Sequence, residues 1–506
     1  MQVSHLYTVC LFVAMSVILS YYYLNIARET QEILADADDI GIMNRNISFK
    51  MLQRVQDALE GEYSPSFGFD DELISRAIQA GNLARLKNVL KKALRGEDIN
   101  LLVIGGSNSA GGILGLDENS LDELYFKVFA KWWNNTFGKA TKSFLKEIQI
   151  TIGATGSPFF AFCYKTFIAE GEEIDIAFIE ISANDCRFRT AKHLEQLTRQ
   201  VLEYYSEPAV LYINLMGRLG YKDKPLNPKC RNLETFGQTQ LSRHYEITSF
   251  SLKEVLCRKD EKGQWKIILT NMAGSDGNHI SLNAHALVGS LMIKHVWSVI
   301  KELVNDVHNA ADQATGGYES SALPKFLLIE HEGEALTKPL CWTGKTPNAF
   351  KNLHHPNLQL EVINNSNFSP CFKVRGKGLN VKSLSKLLRT DSQGGWCASK
   401  SSSTLHLKIY VPMIGVNSFH RTRSVIVLSR FYGAGQAEIW LDNNKDKAIK
   451  TDSNWVLDRY NTIATRVNPG YHTITVRTLR EGMFMVSGVL VGPPDFRFGT
   501  DALRCQ

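Results

Sequence analysis

The fold turns on Leu101-Leu102-Val103-Ile104-Gly105-Gly106-Ser107-Asn108-Ser109-Ala110-Gly111-Gly112. Four consecutive apolar residues without polar alternation read as a strand buried on both faces. The strand runs straight into a glycine-rich turn. Such a turn can cradle phosphate at a helix N-terminus, yet no Gly-Lys-Ser/Thr ending follows and GxGxxG is not matched in register. Two readings remain: a nucleophile turn whose glycines expose a serine hydroxyl, and a plain tight turn. Taken alone, the loop favours the plain turn.

Working outward, the apolar runs Ile148–Ile152, Ile174–Ile181 and Ala209–Leu215 repeat the strand pattern. Helical stretches lie between and after them at Leu121–Trp133, Thr190–Tyr205 and Asn283–Val304. Strands alternating with helices predict an α/β domain over residues 97–305, a doubly wound parallel sheet with its site at the strand C-terminal ends. Three polar segments fall at such ends. Gly153-Ala154-Thr155-Gly156 follows the second strand, Ser182-Ala183-Asn184-Asp185 follows the third, and Asp276-Gly277-Asn278-His279 precedes the last helix.

In this order the four segments resemble the blocks of the SGNH (GDSL-type) hydrolase family, which supply Ser, Gly, Asn and a DxxH pair. The resemblance implies a flavodoxin-like hydrolase fold. It assigns Ser107 as nucleophile, with Gly111 four residues on, His279 as base and Asp276 as the acid of the triad. The oxyanion hole then consists of the Ser107 and Gly156 backbone N–H groups and the Asn184 side-chain amide, with Gly153 the poorer match for the glycine. The chain departs from the family's pattern at Gly106, where an acidic residue is usual, at Ser182 for glycine, and at Ile280 for proline.

The chemistry asks for these residue types. A serine must lose its proton as it attacks an ester carbonyl, and histidine is the side chain able to take it near neutral pH. A carboxylate three residues before His279 can hold its ring tautomer, and one oxyanion donor lowers a barrier by roughly 3–4 kcal/mol. Blander readings stand beside these: Asn184 as a helix cap, and Asp276, His279 and His285 as a spacing that could hold a metal. The expectation is no metal and no cofactor.

The 506 residues, 44% of them hydrophobic and 21% charged, exclude disorder and indicate several domains. Leu6–Leu24 is uncharged and at 1.5 Å per residue spans roughly 28 Å, close to a bilayer core. It predicts an N-terminal transmembrane signal anchor at residues 1–27, a cleaved signal peptide being the alternative. A helical stalk is expected at 28–96. Either reading exports the chain, as a single-pass protein of the secretory pathway or cell surface, or as a secreted one. Of nine cysteines, Cys10 lies in the apolar run, and the other eight suit disulfides, pairing within each half being the simplest expectation. Asn46, Asn134, Asn364 and Asn367 begin sequons that permit glycosylation.

After a polar linker at 306–324 the character changes. Short alternating segments at Leu405–Val411, Ser424–Leu428, Ala437–Leu441, Tyr471–Val476 and Met483–Val491 predict an all-β sandwich over 325–506. The net charge of +6 divides unevenly: residues 325–506 carry 24 basic and 13 acidic residues, net +11, against −5 for the rest. With Trp342, Trp396, Trp440 and Trp455, this basic region suits acidic glycans or anionic head groups, the alternative being that the tryptophans are core and the charges solvated surface; nucleic acid does not suit an exported chain. Together these readings predict a membrane-anchored serine esterase removing O-acyl, foremost O-acetyl, groups from a glycan or glycoconjugate. A glycan O-acetyltransferase using the same triad, or a non-catalytic glycan-binding or adhesion protein, is the alternative. On this view the sandwich is separable, and removing it spares hydrolysis of a small ester.

Overall fold

The computed structural model describes residues 49–61, 71–112, 121–185, 190–217, 230–263, 265–267, 272–309, 322–331, 334–347, 355–374, 392–413, 422–432, 435–451 and 458–496. The first sheet contains β1 (Ile78–Gln79), β2 (Ile99–Gly105), β3 (Leu145–Thr151), β4 (Ile176–Glu180), β5 (Ala209–Asn214) and β6 (Thr248–Ser251), in the order β1-β6-β5-β4-β2-β3. Strands β2 to β6 run parallel, whereas β1 pairs antiparallel with β6. The expected all-parallel, doubly wound sheet is therefore corrected to a mixed one, and most of the described strands belong to antiparallel sheets. Periodicity could not show β1, because two residues carry no alternation.

Side chains alternate across this sheet, so one strand feeds two cores. From β2, Leu101 and Val103 face one apolar cluster and Leu102 and Ile104 the other. Helices α1 (Ala84–Leu94), α2 (Tyr125–Trp132), α3 (Ser157–Cys163), α4 (Lys192–Leu202) and α5 (Leu282–Asn309) flank the strands. The first face is covered by α1, α2 and α5. Ala284, Leu287, Val288, Leu291 and Met292 form the buried stripe of α5 at three- and four-residue spacing. Residues 71–94 are not a stalk: Leu86, Val89, Leu90, Ala93 and Leu94 of α1 sit in the same core.

Beyond this layer, β7 (Cys257–Lys259) and β8 (Trp265–Ile267) form a small hairpin. The later strands are β9 (Leu340–Thr343), β10 (Leu360–Ser366), β11 (Ser369–Val374), β12 (Ser392–Ala398), β13 (Thr404–Val411), β14 (Arg423–Tyr432), β15 (Gln436–Leu441), β16 (Ile449–Thr451), β17 (Arg459–Val467), β18 (Gly470–Arg480) and β19 (Met483–Gly492). They make two antiparallel sheets, β10-β13-β18-β15-β16 and β11-β12-β19-β14-β17, with β9 paired to β19. Trp342 and Trp396 pack against the apolar core between these sheets, so they are packing residues first; Trp455 lies outside the described residues.

The halves share a core. In β14, Val425 and Val427 face the paired sheets' own interior, while Ile426 and Leu428 join the second cluster of the mixed sheet, with Leu336, Leu490 and Phe496. Burial on both faces explains why Ser424–Leu428 is continuously apolar after its serine. Disulfides Cys230–Cys257 and Cys371–Cys397 stay within their halves, but Cys163–Cys341 joins α3 to β9 across the seam, against the expectation of pairing within halves. Cys186 and Cys505 lie outside the described residues.

The N-terminal transmembrane helix is not supported. Among the described residues no helix is long and apolar enough to cross a membrane, and Leu6–Leu24 lies outside them.

Fully burying one such side chain is worth about 1.5–3 kcal/mol, so exposing part of the seam removes as much free energy as a domain's whole net stability. A chain ending at residue 324 is therefore expected to aggregate, reversing the separable-module expectation. A soluble truncated chain with a single cooperative urea transition would contradict the shared core.

Candidate active site

The site grows from the level ends of three parallel strands. Gly105 at the end of β2 is in register with Thr151 of β3 and Glu180 of β4. The loops bearing Ser107, Gly156 and Asn184 therefore leave the sheet together, where the order turns from β3 through β2 to β4. Such a switch point is where open α/β sheets form crevices. Within residues 101–110 every residue is buried except Ser107.

Close approach explains the glycines around it. A Cβ on Gly105 would overlap the Ser109 hydroxyl, and one on Gly106 would overlap the Asn184 amide. The acidic residue that the family carries before its serine has no room here, because Asn184 lies directly against Gly106. A Cβ on Gly156 would likewise overlap the Asp185 carboxylate. That carboxylate accepts the Ser157 N–H at 3.1 Å through both oxygens, at the N-terminus of α3. Gly156 is thus fixed against the segment that carries Asn184. The first N–H of α3 is thus held by Asp185, while at the start of the following helix, α4, the Lys192 N–H is held by Thr190 Oγ1 at 3.2 Å.

The fourth segment is pinned from both ends. Asp276 Oδ1 accepts the Asn278 and His279 backbone N–H groups at 2.9 and 3.0 Å, and Oδ2 lies 2.5 Å from His279 Nδ1. Gly277 has φ +64, the left-handed conformation that this tight turn requires. Ser281 Oγ accepts the Ala284 N–H at 3.4 Å, capping α5 and fixing the loop exit. The His279 side chain is only 14% exposed and that of Asp276 41%. Partial burial, the largest influence on Asp276, opposes ionisation. The His279 and Asn278 N–H groups and the His279 ring outweigh it and hold the carboxyl below its ordinary range.

One bond ties the nucleophile loop to the histidine loop. Buried Asn108 accepts the Ile280 N–H on Oδ1 at 3.1 Å. Proline, the family's usual residue there, has no N–H to give. Ser182 also earns its place, donating its hydroxyl to Leu215 O at 2.7 Å. His285 is buried in the core and accepts the Tyr125 N–H on Nδ1 at 3.3 Å; burial lowers its pKa to about 3, with the nearby His279 adding to the effect. It is a buried core residue whose Nδ1 faces α2.

Glu180, Asp185, Asn108, Thr155 and Lys345 were not singled out by sequence reasoning. Asp185, Asn108 and Thr155 carried a local signal, each standing next to a candidate residue, whereas Glu180 and Lys345 carried none. Glu180 lies fully buried under the nucleophile loop, its Oε2 accepting the Ser109 hydroxyl at 2.7 Å and the Gly106 N–H at 3.3 Å. Burial pushes its carboxyl up to about 8, against the lowering effect of these hydrogen bonds. Ser109 also meets the Tyr125 hydroxyl at 3.0 Å.

No family model matches the sequence, and no curated protein matches it. Solved structures do. A two-domain esterase (CEX) active on acetylated mannans aligns with TM-score 0.52 at 19% identity, covering 84% of this chain and 99% of that one. The same esterase co-crystallized with mannopentaose aligns with TM-score 0.52 at 18% identity and the same coverage. The chain has the two-domain esterase fold. At this identity the likeness is one of fold, and it spans both halves.

The buried acid makes a pH prediction. Between about pH 4.5 and 8 native Glu180 keeps a proton that the unfolded chain has lost, so stability falls as pH rises through that window. Urea unfolding at pH 5, 6.5 and 8 should show a smaller loss for Glu180→Gln than for the wild type. Equal losses would remove Glu180 as the source.

Proposed function

We propose that the chain is a serine esterase that removes O-acyl groups, O-acetyl first among them, from a glycan or glycoconjugate. The observation that carries this reading is the Asp276–His279 pair at 2.5 Å, tied through Ile280 and Asn108 to the loop that exposes Ser107. The two-domain fold shared with an esterase active on acetylated mannans supports the substrate class. The disulfides support maturation in an oxidising compartment, secreted or lumenal.

The proposed reaction uses the groups in order. Because Nδ1 of His279 faces Asp276, Nε2 is left to take the Ser107 proton as Oγ attacks the acyl carbonyl. The oxyanion formed is met by the backbone N–H groups of Ser107 and Gly156 and by the Asn184 amide. His279 returns the proton to the departing sugar oxygen, leaving an acyl-serine. It then activates water, which cleaves that ester and releases the carboxylic acid. Asp276 stabilises the imidazolium at both stages without taking its proton.

Acetate release from acetylated mannan tests the reading. The wild type should release acetate, Ser107→Ala should fall by at least about 10⁴-fold, and Asp276→Asn by on the order of 10⁴-fold with a folded structure. A wild-type protein that releases none from acetylated glycans or aryl acetates, or a Ser107→Ala variant of full activity, would overturn it.

A further inference from the structure

Lys345 stands outside every segment that the sequence singles out, just beyond β9, yet its side chain has 0% exposure. Its Nζ donates to Thr155 Oγ1 at 3.1 Å, pairs with Asp458 Oδ2, and lies 4.6 Å from the centre of the Phe159 ring. Asp458 is buried as well, and its Oδ1 accepts Arg430 Nε at 2.8 Å and the Ser487 hydroxyl at 3.4 Å. A buried ammonium is costly unless paired and hydrogen-bonded. Here the pairing comes from the paired sheets, while a further bond reaches across the seam to the loop after β3.

That loop carries Gly156. Thr155 Oγ1 donates to Gly153 O at 3.1 Å, so Lys345 grips a hydroxyl that already closes the turn. Ala154 within the turn has φ +53, a left-handed conformation that a non-glycine residue holds only where its surroundings impose it. On the far side Asp185 holds the Ser157 N–H. Gly156 is therefore held between a carboxylate of the mixed-sheet half and a cation of the paired sheets.

We propose that Lys345 is a positioning residue for the oxyanion loop, acting through Thr155 Oγ1 to fix the direction of the Gly156 N–H. The paired sheets then complete the active site. The inference rests on the esterase reading above and adds a residue to its machinery. Since a displacement of about 1 Å near reacting atoms costs on the order of 10²-fold, the loop's anchor matters even at one remove from the chemistry.

Kinetics on p-nitrophenyl acetate test it, with kcat expressed per serine titrated by a fluorophosphonate so that unfolded protein does not count. Lys345→Met and Thr155→Val should each lower kcat about 10- to 100-fold while KM stays within about twofold. Thr155→Ser, which keeps the acceptor oxygen, should recover most of the loss. The double variant should be no worse than the poorer single, because both act through one bond. Should Lys345→Met not fold, Thr155→Val decides alone, since it leaves Lys345, Asp458 and Arg430 in place. Wild-type kcat in the folded variants, or a Thr155→Ser as impaired as Thr155→Val, overturns the inference and leaves the esterase reading standing. A wild-type protein inert on the ester overturns both.

Discussion

The docking of α3, Ser157-Pro158-Phe159-Phe160-Ala161-Phe162-Cys163, is the constraint on which the rest depends. All seven residues are buried. Its first N–H is held by Asp185, its Phe162 ring packs on Phe496 and beside Gly492, and its last residue forms the Cys163–Cys341 disulfide. A helix this short has little stability of its own. It is ordered by what surrounds it, and the surroundings come from both halves of the chain. The turn that precedes it therefore inherits its position from the seam.

Two kinds of energy act at that seam, with different consequences. Apolar burial is large and non-directional, so it holds the halves together without aiming any atom. The Arg430–Asp458–Lys345 set contributes little net stability after desolvation, but its bonds have direction. Aiming is what an oxyanion hole requires, since a donor misplaced by an ångström no longer meets the developing charge. The same division appears at the other loops. Asn108, Asp185 and Asp276 each hold backbone N–H groups, fixing loop shape while the apolar core fixes only proximity.

The ordered segments were legible because they stand at strand ends, and the apolar runs of β2 to β5 announced the strands. Ser107, Gly156 and Asn184 could be placed on loops for that reason, and Asp276 and His279 because the last helix begins just after them. The edge strand β1 was not legible, being too short for any period. The cross-half disulfide and the Lys345–Thr155 bond were also hidden. Each links residues far apart in sequence, and local pattern carries no information about such partners. Three departures from the family's blocks, at Gly106, Ser182 and Ile280, looked like weaknesses in sequence and acquire physical reasons from the folded loops.

In the proposed esterase Ser107 is a nucleophile activated by the His279–Asp276 pair. The most direct measurement is treatment of the folded protein with a fluorophosphonate, followed by peptide mass spectrometry of the product. One stoichiometric adduct is expected, on Ser107, and it is lost in His279→Ala. A folded protein that takes up no phosphonate, or that carries it on another residue, would contradict it.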